Sequence, residues 1–391
     1  MKIAIIGGGG RVGLPLGILL ATKDHSVKVI DIDESRVEKI NRRIMPFLEP
    51  IADKLLAQLK ADQLVASSSY EEVKGADVCI LITGTPVDND GIPSANHLIT
   101  IVKSLLPFLK HTKLLMLRST VYPGITGEIQ NYISTILPEL LVSFCPERIA
   151  EGKAIEEIEA LPQIIGVESD EAFNLSKSVF QQISPKLIRL NFSEAEISKL
   201  FANAYRYLKF GIANEFFKIC VENDINWERV WQSLKTDYPR AKDLPLPGFA
   251  AGPCLVKDTQ QLDYFSKKGF ILGKSALEIN ENMPNLIVNH IKSKFELKNM
   301  VVGILGMTFK GDVDDFRSSL SFRLKNILEH ESKLVLCSDE LLQKEYFKDK
   351  STLIELSDLI IIAAPHSGYR DIVTDKPIID IWRISSNESL I

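Results

Sequence analysis

Short apolar runs recur through the first half of the chain. Lys2–Ile6, Val27–Ile32, Asp77–Thr83 (DVCILIT), Lys113–Arg118 (KLLMLR), Leu141–Phe144 and Gln163–Val167 are each too short for a typical helix. Stretches of helical spacing lie between them, the first from about Gly13 to Thr22. Apolar runs without polar alternation mark parallel strands covered on both faces. Their alternation with helices predicts a doubly wound α/β domain over residues 1–190. At Ser193 the pattern changes. Leu200, Ala204, Leu208 and Ile212 recur every fourth residue, a helical stripe, and Ser193 with Glu196 reads as a capping box. One helix of about 30 residues therefore opens a helical middle domain, 191–297, which also contains a Pro- and Gly-rich loop from Asp237 to Pro253. Strand patterns return at Asn299–Met307, Lys333–Cys337, Asp358–Ala364 and Pro377–Trp382, which predicts a second, smaller α/β domain over 298–391.

Composition narrows the class. The 391 residues are 45% apolar and 25% charged, ordinary for a globular protein. A net charge of −5 leaves no electrostatic footprint for nucleic acid. No apolar run reaches the roughly 18 residues of a membrane helix. Lys2 and the residues after it look like the start of a signal peptide, but Gly7–Gly10 and Arg11 interrupt the run and no small-residue cleavage site follows. A cytoplasmic protein with no membrane or nucleic-acid partner is expected. The five cysteines, Cys79, Cys145, Cys220, Cys254 and Cys337, are widely spaced and lack a CxxC, so neither a disulfide framework nor a metal site is expected. Four lie in apolar stretches. Cys254 lies in the loop GFAAGPCLVKD, where glycines give access and Lys257 supplies a cation that favours the thiolate.

The sharpest local signal is Gly8-x-Gly10-x-x-Gly13, directly after a strand and before a helix. Gly8 is expected to make the tight turn, Gly10 to let backbone approach a pyrophosphate, and Gly13 to let helix pack on strand. Arg11 and Val12 complete the turn, and the helix N-terminus offers free N–H groups to the anion. Asp31 ends the next strand, where a carboxylate accepts from a ribose 2′-OH and repels a 2′-phosphate. Both α/β domains are thus expected to be Rossmann-like, with NAD in the first. Asp33 reads as the cap of the following helix; Arg36 reads either as lining the adenosine end or as a solvated helix charge.

With these features in view the sequence resembles the nucleotide-sugar 6-dehydrogenases, the UDP-glucose and UDP-N-acetylhexosamine dehydrogenases. The shared motifs are Thr85-Pro86, Ser119-Thr120-Val121, Cys145-Pro146-Glu147-Arg148, Lys199 with Asn203, Gly252-Pro253-Cys254 with Lys257-Asp258, and Phe309-Lys310 with Arg317, in the same order along almost the whole chain. The resemblance implies two NAD-dependent oxidations of a UDP-sugar C6 alcohol to a carboxylate, through a thiohemiacetal and thioester on Cys254. It implies catalytic roles for Lys199, Asn203, Asp258, Glu151, Glu147 and Thr120. Thr85, Thr120, Lys257 and Arg317 are implied on the cofactor side. Glu147, Arg148, Lys199, Asn203, Arg240, Phe249, Gly252 and Lys310 are implied on the substrate side, with Arg240 acting across a homodimer. The long helix also carries Phe201, Tyr205, Phe210, Phe216 and Phe217, more aromatic surface than one small domain covers, which agrees with a dimer.

Several positions depart from the family pattern. The turn has an extra glycine, Arg11 stands where tyrosine is common, and Gly84 replaces a proline. AAGPC replaces the more frequent GG before the cysteine, Leu320 stands where proline often follows, and the third domain reads as short at its end. None of these removes a catalytic group, but they leave the sugar open. Two other readings stand beside this one. A two-electron hydroxyacid dehydrogenase also joins a dinucleotide domain to a helical one, but leaves Cys254 and the third domain unexplained. A non-catalytic NAD-binding scaffold leaves the Lys199, Asn203, Cys254 and Asp258 set unexplained. Because Asp31 occupies the ribose position, steady-state kinetics should show clear preference for NAD over NADP. Equal kcat/KM for the two would overturn this assignment.

Overall fold

The computed structural model describes residues 1–85 and 95–386. Pro86 of the Thr85-Pro86 motif lies outside the described residues. The chain divides into two compact units: Met1–Ala202 with Gln260–Lys267, and Asn203–Thr259 with Lys268–Ile391.

In the first unit the strands are β1 (Lys2–Ile6), β2 (Ser26–Ile30), β3 (Leu64–Ser67), β4 (Val78–Leu81), β5 (Leu114–Leu117), β6 (Leu141–Phe144), β7 (Gln163–Gly166) and β8 (Leu187–Leu190). They form one sheet in the order β3-β2-β1-β4-β5-β6-β7-β8. Neighbours run parallel except at β6 and β7, which meet antiparallel at Phe144 and Gly166. The apolar runs are continuous because both faces are covered. Ile3, Ile5, Val27, Val29, Val78 and Ile80 enter one buried cluster, while Ala4, Ile6, Ile30, Cys79 and Leu81 enter the other. The helix Gly13–Thr22 is buried from Gly13 to Ala21, which explains why the N-terminus has the hydrophobicity of a leader. No helix among the described residues is long and apolar enough to cross a membrane.

Two strands are not visible in the sequence pattern. The edge strands β3 and β8 carry exposed Val65 and half-exposed Arg189, and a strand open on one side has no continuous apolar run. The antiparallel contact of β6 with β7 also departs from the all-parallel expectation.

The expected long helix is Phe192–Glu222, 31 residues. Its cap is not the expected Ser193–Glu196 pair. Asn191 Oδ1 accepts from Glu194 N at 2.9 Å, and Glu194 Oε2 accepts from Asn191 N at 3.0 Å, so the reciprocal box sits two residues earlier. Glu196 is fully buried and caps a different helix, accepting from Gly124 N at 2.7 Å and Thr126 N at 2.8 Å at the start of Ile125–Ser134.

In the second unit, β9 (Val301–Leu305), β10 (Leu334–Ser338), β11 (Leu359–Ile362) and β12 (Ile378–Asp380) form a parallel sheet in the order β10-β9-β11-β12. All four match the predicted strands. Its core joins Val302, Ile304, Ile361 and Ile379 to Phe217, Trp227, Met283 and Ile287 of the helical segments. Phe217 is therefore a core residue, and Phe210 meets Trp382 edge to face, so neither is surface left over for a partner.

Burial raises the Glu196 carboxyl above its ordinary range, with the two N–H bonds opposing that shift. Its contribution to stability is then fully present at acid pH and declines as pH rises through the raised value. Glu196→Ala, which strands two helix-start N–H groups, should cost roughly 2 kcal/mol in urea unfolding. The deficit should be larger near pH 4.5 than near pH 8, and a deficit that grows with pH would contradict the assigned direction.

Candidate functional site

Parallel sheets present ligand sites at the carboxyl ends of their strands, where the strand order reverses. Every first-unit candidate, Lys199 excepted, follows such an end. The turn after β1 needs glycine most at Gly7, not at Gly8 as expected from the spacing. Gly7 has φ of +71° and a Cβ there would lie 2.1 Å from Ile82 O. Gly13 packs as expected, with a Cβ position 2.7 Å from Gly8 Cα. Gly10 differs: a Cβ there would meet nothing nearer than Gly7 O at 3.6 Å. That open space lies before a helix that follows Val12 and has no side-chain cap. Asp31 is 7% exposed, and its carboxylate is fixed by Gly9 N at 2.9 Å and Asp33 N at 3.1 Å. An uncapped helix start, an open glycine and a fixed carboxylate at the end of β2 fit a dinucleotide's pyrophosphate and ribose. Asp33 caps the next helix by accepting from Arg36 N, as expected, and the Arg36 guanidinium returns to Asp33 at 3.2 Å on the surface.

The ends of β4 and β5 are tied together. Thr85 Oγ1 donates to Thr120 O at 2.6 Å, and Thr83 N donates to Ser119 Oγ at 2.8 Å. After β6 comes the Cys145–Glu151 segment. Glu147 accepts from Arg148 N and Ile149 N and pairs with buried Arg118, which also donates to Cys145 O at 2.9 Å and Gln163 Oε1 at 3.0 Å. Arg148 donates to Pro162 O, so its guanidinium is engaged within this unit. Arg11 lies 3.7 Å from Glu151 and 5.0 Å over the ring of Phe47. The residue that replaces the family's tyrosine thus joins the glycine turn to a candidate catalytic carboxylate. Glu49, 2% exposed, accepts from Gly152 N at 2.9 Å and Ala154 N at 3.0 Å and so fixes the segment just after Glu151; burial raises its carboxyl pKa.

Neither Arg118 nor Glu49 was singled out from sequence. Arg118 carried a weak signal, a lone cation closing an apolar strand just before Ser119-Thr120. Glu49 carried none, since its partners lie about a hundred positions away.

In the second unit Cys254 is exposed, while Cys79, Cys145, Cys220 and Cys337 are buried. Burial pushes the thiols of Cys79, Cys145 and Cys337 up to about 12, which makes them inert hydrophobes. Cys254 immediately precedes the helix Leu255–Phe265, and its carbonyl accepts from Asp258 N at 2.9 Å. Asp258 is fully buried, accepts from Asn203 Nδ2 at 2.5 Å, and has the Lys257 ammonium 3.8 Å away. Lys199 lies one turn before Asn203 on the long helix, on the same face.

Gly252, with φ of +104°, turns against Phe309: a Cβ there would lie 2.6 Å from the ring. Lys310 follows in the segment after β9, its carbonyl accepting from Thr308 Oγ1 at 2.8 Å. His366, also not singled out from sequence, is buried behind this segment. It accepts from Asp312 N at Nδ1 (2.9 Å), which leaves Nε2 as the donor toward Thr308 Oγ1 (2.9 Å) and Asp339 Oδ2 (3.2 Å). Arg317 forms a paired contact with buried Asp315. Arg240 lies exposed, 5.9 Å over the Tyr238 ring. Phe249 is 3% exposed and packs in the core with Phe217 and Trp227.

Comparison with known proteins follows the same order along the chain. The family model for the NAD binding domain of the UDP-glucose/GDP-mannose dehydrogenase family matches residues 1–184. The model for its central domain matches 193–282, and that for its UDP binding domain matches 303–387. The chain is 30% identical over 395 residues to the UDP-N-acetyl-D-mannosamine dehydrogenase of Methanocaldococcus jannaschii, covering 98% of this chain and 89% of that protein. The solved UDP-D-ManNAc dehydrogenase of Pyrococcus horikoshii superposes with a TM-score of 0.90 at 26% identity, covering 100% of this chain and 97% of the other. The UDP-N-acetyl-mannosamine dehydrogenase structure from Staphylococcus aureus gives a TM-score of 0.84 at 26% identity, covering 100% and 96%. With matches running from the glycine turn to the last strand, this chain belongs to the UDP-glucose/GDP-mannose dehydrogenase family and is an NAD-dependent oxidoreductase acting on the CH–OH group of a nucleotide sugar.

Proposed function

We propose that the chain oxidises the C6 alcohol of UDP-N-acetyl-D-mannosamine twice, to the uronate, with Cys254 as covalent nucleophile. The observation that carries the covalent step is local to the second unit. Cys254 is the exposed cysteine among five, at the start of a helix whose first turn holds Lys257 and buried Asp258, which accepts from Asn203 of the long helix. The choice of sugar is supported by the relatives named above, which act on that compound.

Bound NAD supplies the hydride acceptor for each oxidation. In the first, the C6 alcohol gives up a hydride and its hydroxyl proton and becomes an aldehyde. Cys254 Sγ then adds to the carbonyl carbon; the helix N-terminus behind it favours negative charge on the sulfur. Loss of a second hydride to the cofactor, and of the hydroxyl proton, turns the thiohemiacetal into a thioester. Water attacks that carbon, the S–C bond breaks, the thiol regains a proton and the uronate departs.

Lys199 stabilises the oxyanion at the addition and hydrolysis steps, and Asn203 orients that oxygen. In the second unit Asp258, held in place by Asn203, holds or activates water; in the first unit Glu151, with Glu147 in support, is assigned general-base or water-positioning work, and Thr120 a hydrogen bond to water or cofactor. Lys310 and Arg240 meet the diphosphate. Thr85, Lys257 and Arg317 serve the cofactor side. The domain limits 1–190, 191–297 and 298–391 follow the same division of labour: cofactor, catalytic loop and dimerisation, UDP-sugar.

We also propose a cytoplasmic homodimer. Phe201, Tyr205, Ile212, Phe216 and Ile219 follow one face of the long helix and are between 44% and 57% exposed in the single chain. Static light scattering should give twice the chain mass, and Ile212→Asp with Phe216→Glu should give the monomer. A wild-type monomer at micromolar concentration would refute the dimer.

Cys254→Ser should lower uronate formation by about 10³-fold or more while NAD binding is unchanged, because a serine hydroxyl is a far weaker nucleophile. NADH absorbance across a panel of UDP-sugars should show two NADH per UDP-N-acetyl-D-mannosamine in the wild type. Wild-type uronate formation by Cys254→Ser would end the covalent reading, and one NADH per sugar would return the chain to two-electron chemistry.

A further inference from the structure

We propose that Asn214, on the long helix, is a positioning residue that sets the place of Cys254 through the main-chain N–H and C=O of one residue, Gly248. The proposal rests on the reading of Cys254 as the nucleophile.

The segment from Pro245 to Ala251 has neither helix nor strand, so its backbone groups lack the partners that regular structure would supply. Asn214 provides two of them at one residue. Its Oδ1 accepts from Gly248 N at 2.8 Å, and its Nδ2 donates to Gly248 O at 3.0 Å. A primary amide is the side-chain group that offers a donor and an acceptor side by side in this way. The orientation of the amide is fixed from behind, because Nδ2 also donates to Asn280 Oδ1 at 2.8 Å, and Asn280 Nδ2 donates to Tyr207 O at 3.2 Å. Asn214, Asn280 and Tyr207 are fully buried, so water offers no substitute for any of these bonds.

Gly248 is held from a second side. A Cβ at this position would lie 2.7 Å from the Trp382 ring, whose Nε1 donates to Ala363 O at 2.9 Å. Amide and indole together leave room for glycine alone. Phe249, Ala250 and Ala251 continue buried, and the chain is fixed again where Gly252 turns on Phe309, next to Lys310. Cys254 emerges just past this second point. The exposed thiol therefore takes its position from a buried root, and the Asn214 clamp ties that root to the helix that carries Asn203, the partner of Asp258. A small displacement of a reacting group costs up to about 100-fold in rate, so the clamp acts on kcat.

The test compares Asn214→Asp with wild type. The variant keeps the side chain's size but turns an acceptor toward Gly248 O and Asn280 Oδ1. Three quantities are measured: kcat with UDP-N-acetyl-D-mannosamine, the NAD dissociation constant, and the alkylation rate of Cys254 by iodoacetamide, followed by peptide mass spectrometry. Asn214→Asp should lower kcat by about tenfold or more and change the alkylation rate by about threefold or more, with NAD affinity unchanged. Leu328→Ala, a core truncation elsewhere in the same unit, should lower the melting temperature while leaving kcat and the alkylation rate within about twofold. If Asn214→Asp does not fold, Asn214→Ser, which is neutral and too short to reach both atoms, is read in the same way.

A folded Asn214 variant with wild-type kcat and wild-type alkylation overturns the proposal. So does a Leu328→Ala variant that reproduces both changes, since the effect would then be general softening. The alkylation rate reports loop position whether or not Cys254 is the nucleophile. Full uronate formation by Cys254→Ser would therefore defeat the covalent reading alone, while an unchanged alkylation rate in Asn214 variants would defeat this one.

Discussion

Loops at the ends of parallel strands have many main-chain N–H groups and few regular partners. In this protein, buried carboxylates supply them. Asp31 accepts from Gly9 and Asp33, Glu49 from Gly152 and Ala154, and Glu196 from Gly124 and Thr126. In the second unit Asp339 accepts from Met307, Thr308 and Leu341, and Asp380 from Trp382, Ile384 and Ser385. Each is a charged group taken from water, which is costly alone and tolerable only where two or three N–H donors converge. A carboxylate held by several donors has one position, and so does the loop that donates them. The segments carrying the glycine turn, Glu151 and Lys310 are all fixed in this manner.

The same constraint decides what the sequence made legible. Strands buried on both faces announce themselves, because every position must be apolar; β1, β6 and the four strands of the second unit lie where the pattern predicts. Edge strands β3 and β8 do not, since half of each faces water. The long helix is legible from its stripe, yet its cap is misread. Ser193 and Glu196 have the right spacing, but the Glu196 carboxylate is buried against a helix start some seventy residues away. Local spacing cannot reveal a partner that only the fold brings near. Arg118, Glu49 and His366 were missed for the same reason. The glycine turn and the Cys254 loop were visible as candidates because glycine, proline and a cysteine outside the apolar runs mark them locally.

The departures from the family pattern become intelligible at particular atoms. The extra glycine puts the left-handed turn at Gly7 and leaves Gly10 beside open space. Arg11 does not stand alone where a tyrosine is usual; it stacks on Phe47 and pairs with Glu151. An ion pair of half-buried groups contributes modestly to stability. Its larger effect is positional, since it couples the turn after β1 to the loop after β6.

The Cys254 loop follows a different rule from the carboxylate-held loops, and the difference has a physical basis. A carboxylate near a nucleophilic sulfur raises the cost of a thiolate, because like charges repel. A neutral amide holds a peptide just as firmly without adding charge. At the root of this loop the holding groups are Asn214, Asn280 and the Trp382 indole, all uncharged, and the Phe309 ring serves at Gly252. Asp258, one turn on along the helix, is itself engaged by Asn203 and has Lys257 beside it. On the proposal that Cys254 is the nucleophile, placement comes from amides and rings at the root, and the site for negative charge on sulfur from a helix N-terminus at the tip.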